Sequence, residues 1–155
     1  MTDRQRYCEA HRAWMWGKYP TVVNDGHYSQ PVYPKVSTAN GLTKAIVNFL
    51  TWRGHRATRI NSTGRIIKTP QRQESGVSLM TAKYIPGTTR RGTADISSTI
   101  AGRSVMWEVK IGADRPSEYQ LLEQQREQAA GGLYIFVKTF DQFLDEYDNI
   151  VLKHS

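Results

Sequence analysis

The chain has no long apolar run. Hydrophobic residues make up 39% of its 155 positions, and no stretch approaches the roughly 20 consecutive apolar residues of a membrane-spanning helix, so no membrane partner is expected. The opening residues, Met1-Thr2-Asp3-Arg4-Gln5-Arg6, lack the apolar core of a signal peptide, which gives the expectation of a cytoplasmic location. Cysteine is almost absent. Cys8 alone cannot form an internal disulfide, and no Cys/His spacing suits zinc. His11, His27, His55 and His154 are scattered and read as surface or helix-end residues. Acidic residues are outnumbered, 14 against 21 Lys and Arg, for a formal charge of +7. Such an excess favours polyanionic partners, nucleic acid first among them. There is no internal repeat and no low-complexity tract, and the length suits one domain with a genuine core.

What the chain does have is one short hairpin with two unlike faces. Asp95–Ile100 and Arg103–Ile111 read as strands of alternating character, with Ala101-Gly102 as a tight turn between them. A turn symmetric about that pair sets Asp95 directly opposite Glu108. Cross-strand partners have Cβ atoms roughly 4.5–5.5 Å apart, and Lys110, two residues beyond Glu108, falls on the same face. The other face carries Ile96, Ile100, Val105, Trp107, Val109 and Ile111, a core surface. Two carboxylates set opposite each other repel unless something neutralises them. A hard divalent cation would do so, because Mg²⁺ prefers oxygen ligands and leaves part of its shell for water or substrate phosphate. Lys110 would then steady an attacking water or the charge that builds on phosphorus. The plainer alternative is an edge-exposed charge cluster in which Lys110 only offsets Glu108.

Around the hairpin the pattern is α/β. Residues 1–36 have no clear period and read as a partly irregular N-terminal arm that begins with a short helix. Residues 37–155 read as the domain proper. Within it, Ser37–Gly54 is helical, with Leu42, Ala45, Ile46, Phe49 and Leu50 on one face, Asn40 as N-cap and Gly54 as stop. Ala57–Asn61 and Arg65–Thr69 read as a second hairpin around Ser62-Thr63-Gly64, Pro70–Ser78 as a loop and Leu79–Ile85 as a strand. Ser117 with Gln120 fits a capping box that opens a helix ending at Gly131-Gly132. Leu133–Lys138 is a continuous apolar run, as expected of a buried central strand, and Asp141–Val151 is an amphipathic helix with Phe143, Leu144 and Tyr147 inward. The order predicts a mixed β-sheet flanked by helices. Basic residues cluster at Arg53, Arg56 and Arg59, at Arg65 and Lys68, and at Arg90 and Arg91, the last pair beside the hairpin; such residues hold phosphates without reading sequence.

Gly92-x-x-Asp95, Glu108-x-Lys110 and a helix opening Ser117-x-x-Gln120 before an apolar strand together resemble the PD-(D/E)XK nuclease superfamily, and within it the VRR-NUC type found in phages and related to Holliday-junction resolvases. The resemblance covers roughly Asn40 to Tyr147. It implies a restriction-endonuclease-like core and a Mg²⁺-dependent endodeoxyribonuclease, with Mn²⁺ as a substitute, working on DNA in a bacterial or phage-infected cell. Asp95, Glu108 and the backbone carbonyl of Val109 would be metal ligands. Lys110 would be the catalytic lysine, and Gln120 the helix glutamine near the site, although the capping box accounts for Gln120 equally well; Gln124, one turn on, could share its role. Arg59, Arg65, Arg90 and Arg91 would orient the backbone. Structure-selective cutting and a homodimer are compatible with the relationship to resolvases. One departure stands out: Asn40–Arg53 contains no Asp or Glu, where many members carry an acidic ligand on the first helix. Asn40 or Asn48 would be the substitutes, and one ion is favoured over two. The alternatives to the enzyme are a nucleic-acid-binding module on the same fold without catalysis, and an assembly protein with a basic contact surface.

Overall fold

A computed structural model of the chain describes residues 1–60, 65–72, 78–85 and 90–154. Its elements run α1 (Asp3–Lys18), α2 (Pro20–Asn24), α3 (Ala39–Trp52), β1 (Arg56–Arg59), β2 (Arg65–Arg72), β3 (Ser78–Ile85), β4 (Ile96–Ile100), β5 (Arg103–Val109), α4 (Glu118–Ala129), β6 (Leu133–Val137) and α5 (Phe140–His154). Four strands form one mixed sheet in the order β1-β4-β5-β6, antiparallel except for the parallel pair β5–β6. The protein is therefore α/β, with a mixed sheet flanked by helices. Among the described residues no helix is long and apolar enough to cross a membrane.

Alternation along β4 and β5 divides the molecule. Ile96, Ile100, Val105, Trp107 and Val109 point to one face and join a single core with Leu42, Ala45, Ile46, Phe49 and Leu50 of α3 and Phe143, Leu144 and Tyr147 of α5. Phe143 meets both Trp107 and Phe49 edge-on, at ring-centroid distances of 4.9 and 5.6 Å. Edge-to-face pairs of this kind add to burial by roughly 0.5–1.5 kcal/mol each. Ser98 is the polar residue on that buried face. Its hydroxyl donates to the Val105 carbonyl at 2.8 Å and accepts from the Trp107 indole N–H at 2.9 Å, so neither the indole nor the hydroxyl is left unpaired. Helix α1 is longer than the short helix expected, and its Tyr7 is fully buried among Tyr33, Trp52 and Phe140 while Asn48 Nδ2 donates to its hydroxyl at 2.9 Å.

The turn between β4 and β5 has positive φ at both Ala101 (49°) and Gly102 (78°), the two-residue hairpin geometry whose twist matches the strands. Four local expectations change. Helix α3 is capped by Thr38, whose side chain accepts from Gly41 N, and not by Asn40; Thr is the residue just outside the first helical turn, and Asn40 already lies within it. Strand β1 does not pair with β2. It lies along β4, Arg56 opposite Thr99 and Arg59 opposite Ile96, because only there can Ala57 pack on the core. β2 runs on to Arg72, into the expected loop, and pairs in full with β3; the turn at Ser62-Thr63-Gly64 lies outside the described residues. β6 is a sheet edge and not a central strand, its apolar run accounted for by α4 and α5 packing on it.

Candidate functional site

Helix α4 lies against β6 and reaches the second face of the hairpin through polar side chains. Gln120, Gln124 and Glu127 recur at the spacing of one helical stripe. Gln124 Nε2 donates to the Tyr134 carbonyl at 2.9 Å, and Glu127 Oε1 accepts from the Ser104 hydroxyl at 2.6 Å. The expected capping box is present, with Ser117 accepting from Gln120 N and Gln120 Oε1 accepting from Ser117 N. The same glutamine also donates through Nε2 to Glu108 Oε1. Cap and site contact are thus two ends of one amide, and Gln120 is shared between them. Gln124 is used instead to bind β6.

The β4–β5 register runs from Ile96 opposite Trp107 to Ile100 opposite Arg103, and one step further sets Asp95 against Glu108. Asp95 lies immediately before β4. Its carboxylate Oδ2 accepts from the Val109 backbone N–H at 3.0 Å, and its own carbonyl accepts from Ile60 N at 2.7 Å. Lys110 Nζ lies 3.3 Å from Glu108 Oε1 and 3.5 Å from Asp114 Oδ2. Glu108 and Lys110 are only 5% and 6% exposed, so the group is not an edge-exposed surface cluster. Burial, followed by the charge of Asp95, pushes the Glu108 carboxyl up to about 7, against the lowering influence of Lys110. Because Oε1 already accepts from Lys110 and Gln120, the proton of a neutral Glu108 belongs on Oε2. The Tyr134 hydroxyl is 3.5 Å from that oxygen and donates to the Gly92 carbonyl at 2.9 Å.

These side chains open into a cleft of about 290 Å³ lined by Arg90, Arg91, Gly92, Asp95, Glu108 and Gln120 among others. Gly92 has φ +85°, and a Cβ there would lie 2.3 Å from the Tyr119 carbonyl oxygen. Only glycine lets this loop approach the start of α4 so closely. The rim is basic: Arg90 lies 3.6 Å from Glu123, and the Arg91 guanidinium sits 5.5 Å from the Tyr119 ring centroid. Of the residues expected to bind phosphate, Arg90 and Arg91 line this cleft. Arg59 instead donates to Asn40 Oδ1 at 2.7 Å and borders a neighbouring depression with Lys44. Arg65 opens β2, and its side chain lies outside the described part.

The donor set suits a hard divalent cation. It is all oxygen, and it joins two mutually repelling carboxylates, Asp95 and Glu108. The Val109 N–H faces Asp95, and a strand residue turns its N–H and C=O to the same edge, so the Val109 carbonyl is a reasonable third donor. Among the described residues no group of three or more His, Cys, Asp or Glu side chains could hold a metal. Asn40 and Asn48 do not fill the gap: both line the depression beside Arg59 and not this cleft, and the Asn40 side-chain carbonyl accepts from Arg59. Two residues went unnoticed in the sequence. Asp114 carried no signal, since the loop at 110–116, and not helical spacing, brings it to Lys110. Tyr134 carried none, since its place depends on the parallel register Met106–Tyr134. No family model matches the chain, and no curated protein or solved structure does either.

Proposed function

We propose that this chain is a Mg²⁺-dependent endodeoxyribonuclease with a restriction-endonuclease-like core of the PD-(D/E)XK, VRR-NUC type, Mn²⁺ serving as a substitute. The observation that carries the reading is the buried Glu108 held between Asp95 and Lys110 at the floor of a cleft rimmed by Arg90 and Arg91. A stable sheet has no use for that arrangement, since burying a carboxylate beside a second one raises its free energy. Asp95, Glu108 and the Val109 carbonyl would hold the ion, which supplies Lewis-acid stabilisation of phosphoryl charge and lowers the pKa of bound water. Lys110 contributes a fixed positive charge to the attacked phosphate, Gln120 holds Glu108 in orientation, and Arg90 and Arg91 bind the flanking phosphates.

The test is incubation of wild type and Lys110→Ala with linear and branched DNAs, in Mg²⁺ or in EDTA. Cleavage should need Mg²⁺ and fall by roughly 10²–10³ in the variant, as for loss of one charge-stabilising donor. Cleavage indifferent to both EDTA and the substitution would refute the mechanism. The lack of a third carboxylate among the described residues favours one ion over two. It also favours, as the second reading, a DNA-binding module without catalysis, for which binding would survive EDTA and no condition would yield cleavage.

A further inference from the structure

The formal charge of +7 is not spread along the chain. Residues 55–94 contain eight Lys or Arg against Glu74 alone, and the remaining residues balance at thirteen cations and thirteen acids. The entire excess therefore sits on the segment that runs through β1, forms the β2–β3 ribbon and returns to the cleft. β1 and β4 are neighbours in the main sheet, and the ribbon is an insertion between them that pairs as a sheet of its own. Both roots of the insertion are at the site: Ile60 donates its N–H to the Asp95 carbonyl at 2.7 Å, and Arg90 and Arg91 line the cleft on the return.

Neither strand contains Asp or Glu, and between them they carry Arg65, Lys68, Arg72 and Lys83. Lys68 is exposed and paired with exposed Ala82, and Pro70 is exposed two residues on. A two-stranded ribbon is marginally stable in water by itself, so a surface that covers it would add order as well as contact. Pairing with a second ribbon is disfavoured, because exposed Lys and Pro on an edge strand block edge-to-edge association. Charge complementarity selects a polyanion. Each strand has eight residues, about 27 Å at the usual rise, with the two strands about 4.8 Å apart. The major groove of B-DNA, roughly 12 Å wide, admits a two-stranded ribbon, whereas that of duplex RNA is too deep and narrow.

We infer that the β2–β3 ribbon is a duplex-DNA-binding arm that docks in the major groove beside the cleft and meets the phosphate backbone with the cationic charge of its sequence, Lys68 at an exposed position. The choice of DNA as the polyanion rests on the nuclease reading of the cleft; the charge and placement of the arm do not. The experiment measures affinity of the full chain for a fluorescent DNA duplex between about 50 and 200 mM salt, in EDTA and in the slow-cutting Lys110→Ala background. Lys68→Ala/Arg72→Ala/Lys83→Ala is compared with Lys35→Ala/Lys138→Ala/Lys153→Ala, which removes the same charge from exposed positions outside the segment. The ribbon variant should lower the salt slope by two to three, about one per phosphate contact, and the control should leave it unchanged. Duplex RNA should compete at least about tenfold less well than duplex DNA. Circular dichroism checks folding, and single Lys68→Glu, which should weaken binding more than Lys153→Glu, serves if the triple variant does not fold. Equal losses in the two triple variants, no loss in either, RNA competing as well as DNA, or no binding by the parent would each overturn the arm. With Lys110 restored, cleavage separates the two readings. Ribbon-dependent binding without any cleavage leaves the arm and removes the nuclease, and cleavage with binding indifferent to the ribbon does the reverse.

Discussion

Replacing Glu108 by glutamine should make the metal-free protein more stable above neutral pH while removing its response to Mg²⁺. The carboxyl is 5% exposed and is raised from 4.5 to about 7, chiefly by burial and then by Asp95. A carboxyl whose folded value exceeds its unfolded value binds its proton more tightly in the folded state. Its stabilising contribution is full below about 4.5 and is lost as pH rises through about 7. The difference between those values corresponds to about 3 kcal/mol. Glutamine resembles the protonated carboxyl, so E108Q should match wild type near pH 4.5 and exceed it by up to about 3 kcal/mol at pH 8, roughly 6–12 °C in Tm for a chain of this size. His11 and His55 are both held below their ordinary value by burial, His55 also by Arg53. A histidine lowered in this way contributes stability above about 6.5 that is lost as pH falls, opposing the Glu108 trend. Both proteins share that effect, so the difference between their urea-denaturation curves in EDTA isolates Glu108. Adding Mg²⁺ should then raise the Tm of wild type and not of E108Q. A flat difference from pH 4.5 to 8, or an E108Q less stable than wild type at pH 8, would refute the reasoning.

The other predictions concern the shell around that carboxyl and the turn that sets its register. Gln120→Ala removes both the cap acceptor and the donor to Glu108, and urea denaturation should show a loss of about 1–3 kcal/mol; Gln120→Glu keeps the acceptor but adds a carboxylate, so it should destabilise more at pH 8 than at pH 5. Gly92→Ala meets both a φ of +85° and the Tyr119 carbonyl, and should lower stability by about 1–3 kcal/mol or more, with a reduced melting temperature as the readout. Ala101→Gly relieves a non-glycine left-handed residue and should stabilise by about 1 kcal/mol, read as a Tm raised by a few degrees with DNA cleavage unchanged. A fall in Tm would show that the turn holds no such strain.

The features legible in the sequence are those whose physics is local. A two-residue turn sets the register of the strands it joins, so Asp95, Glu108 and Lys110 could be assigned to one face from residue order alone. The capping box at Ser117 and Gln120 and the apolar stripes of α3 and α5 were legible for the same reason: each depends on neighbours within one or two turns. The partner of β1 was not. A four-residue strand rich in Arg carries no local signal that it skips β2 and β3 to lie on β4, where Ala57 is half-buried against the core. The edge position of β6 and the place of Tyr134 follow from a parallel register that no turn encodes. By itself, then, the sequence determined which charged side chains share a face of the hairpin. Tertiary structure decided that a polar helix lies against this face, and burial there, followed by the charge of Asp95, is what raises the Glu108 carboxyl toward neutral pH.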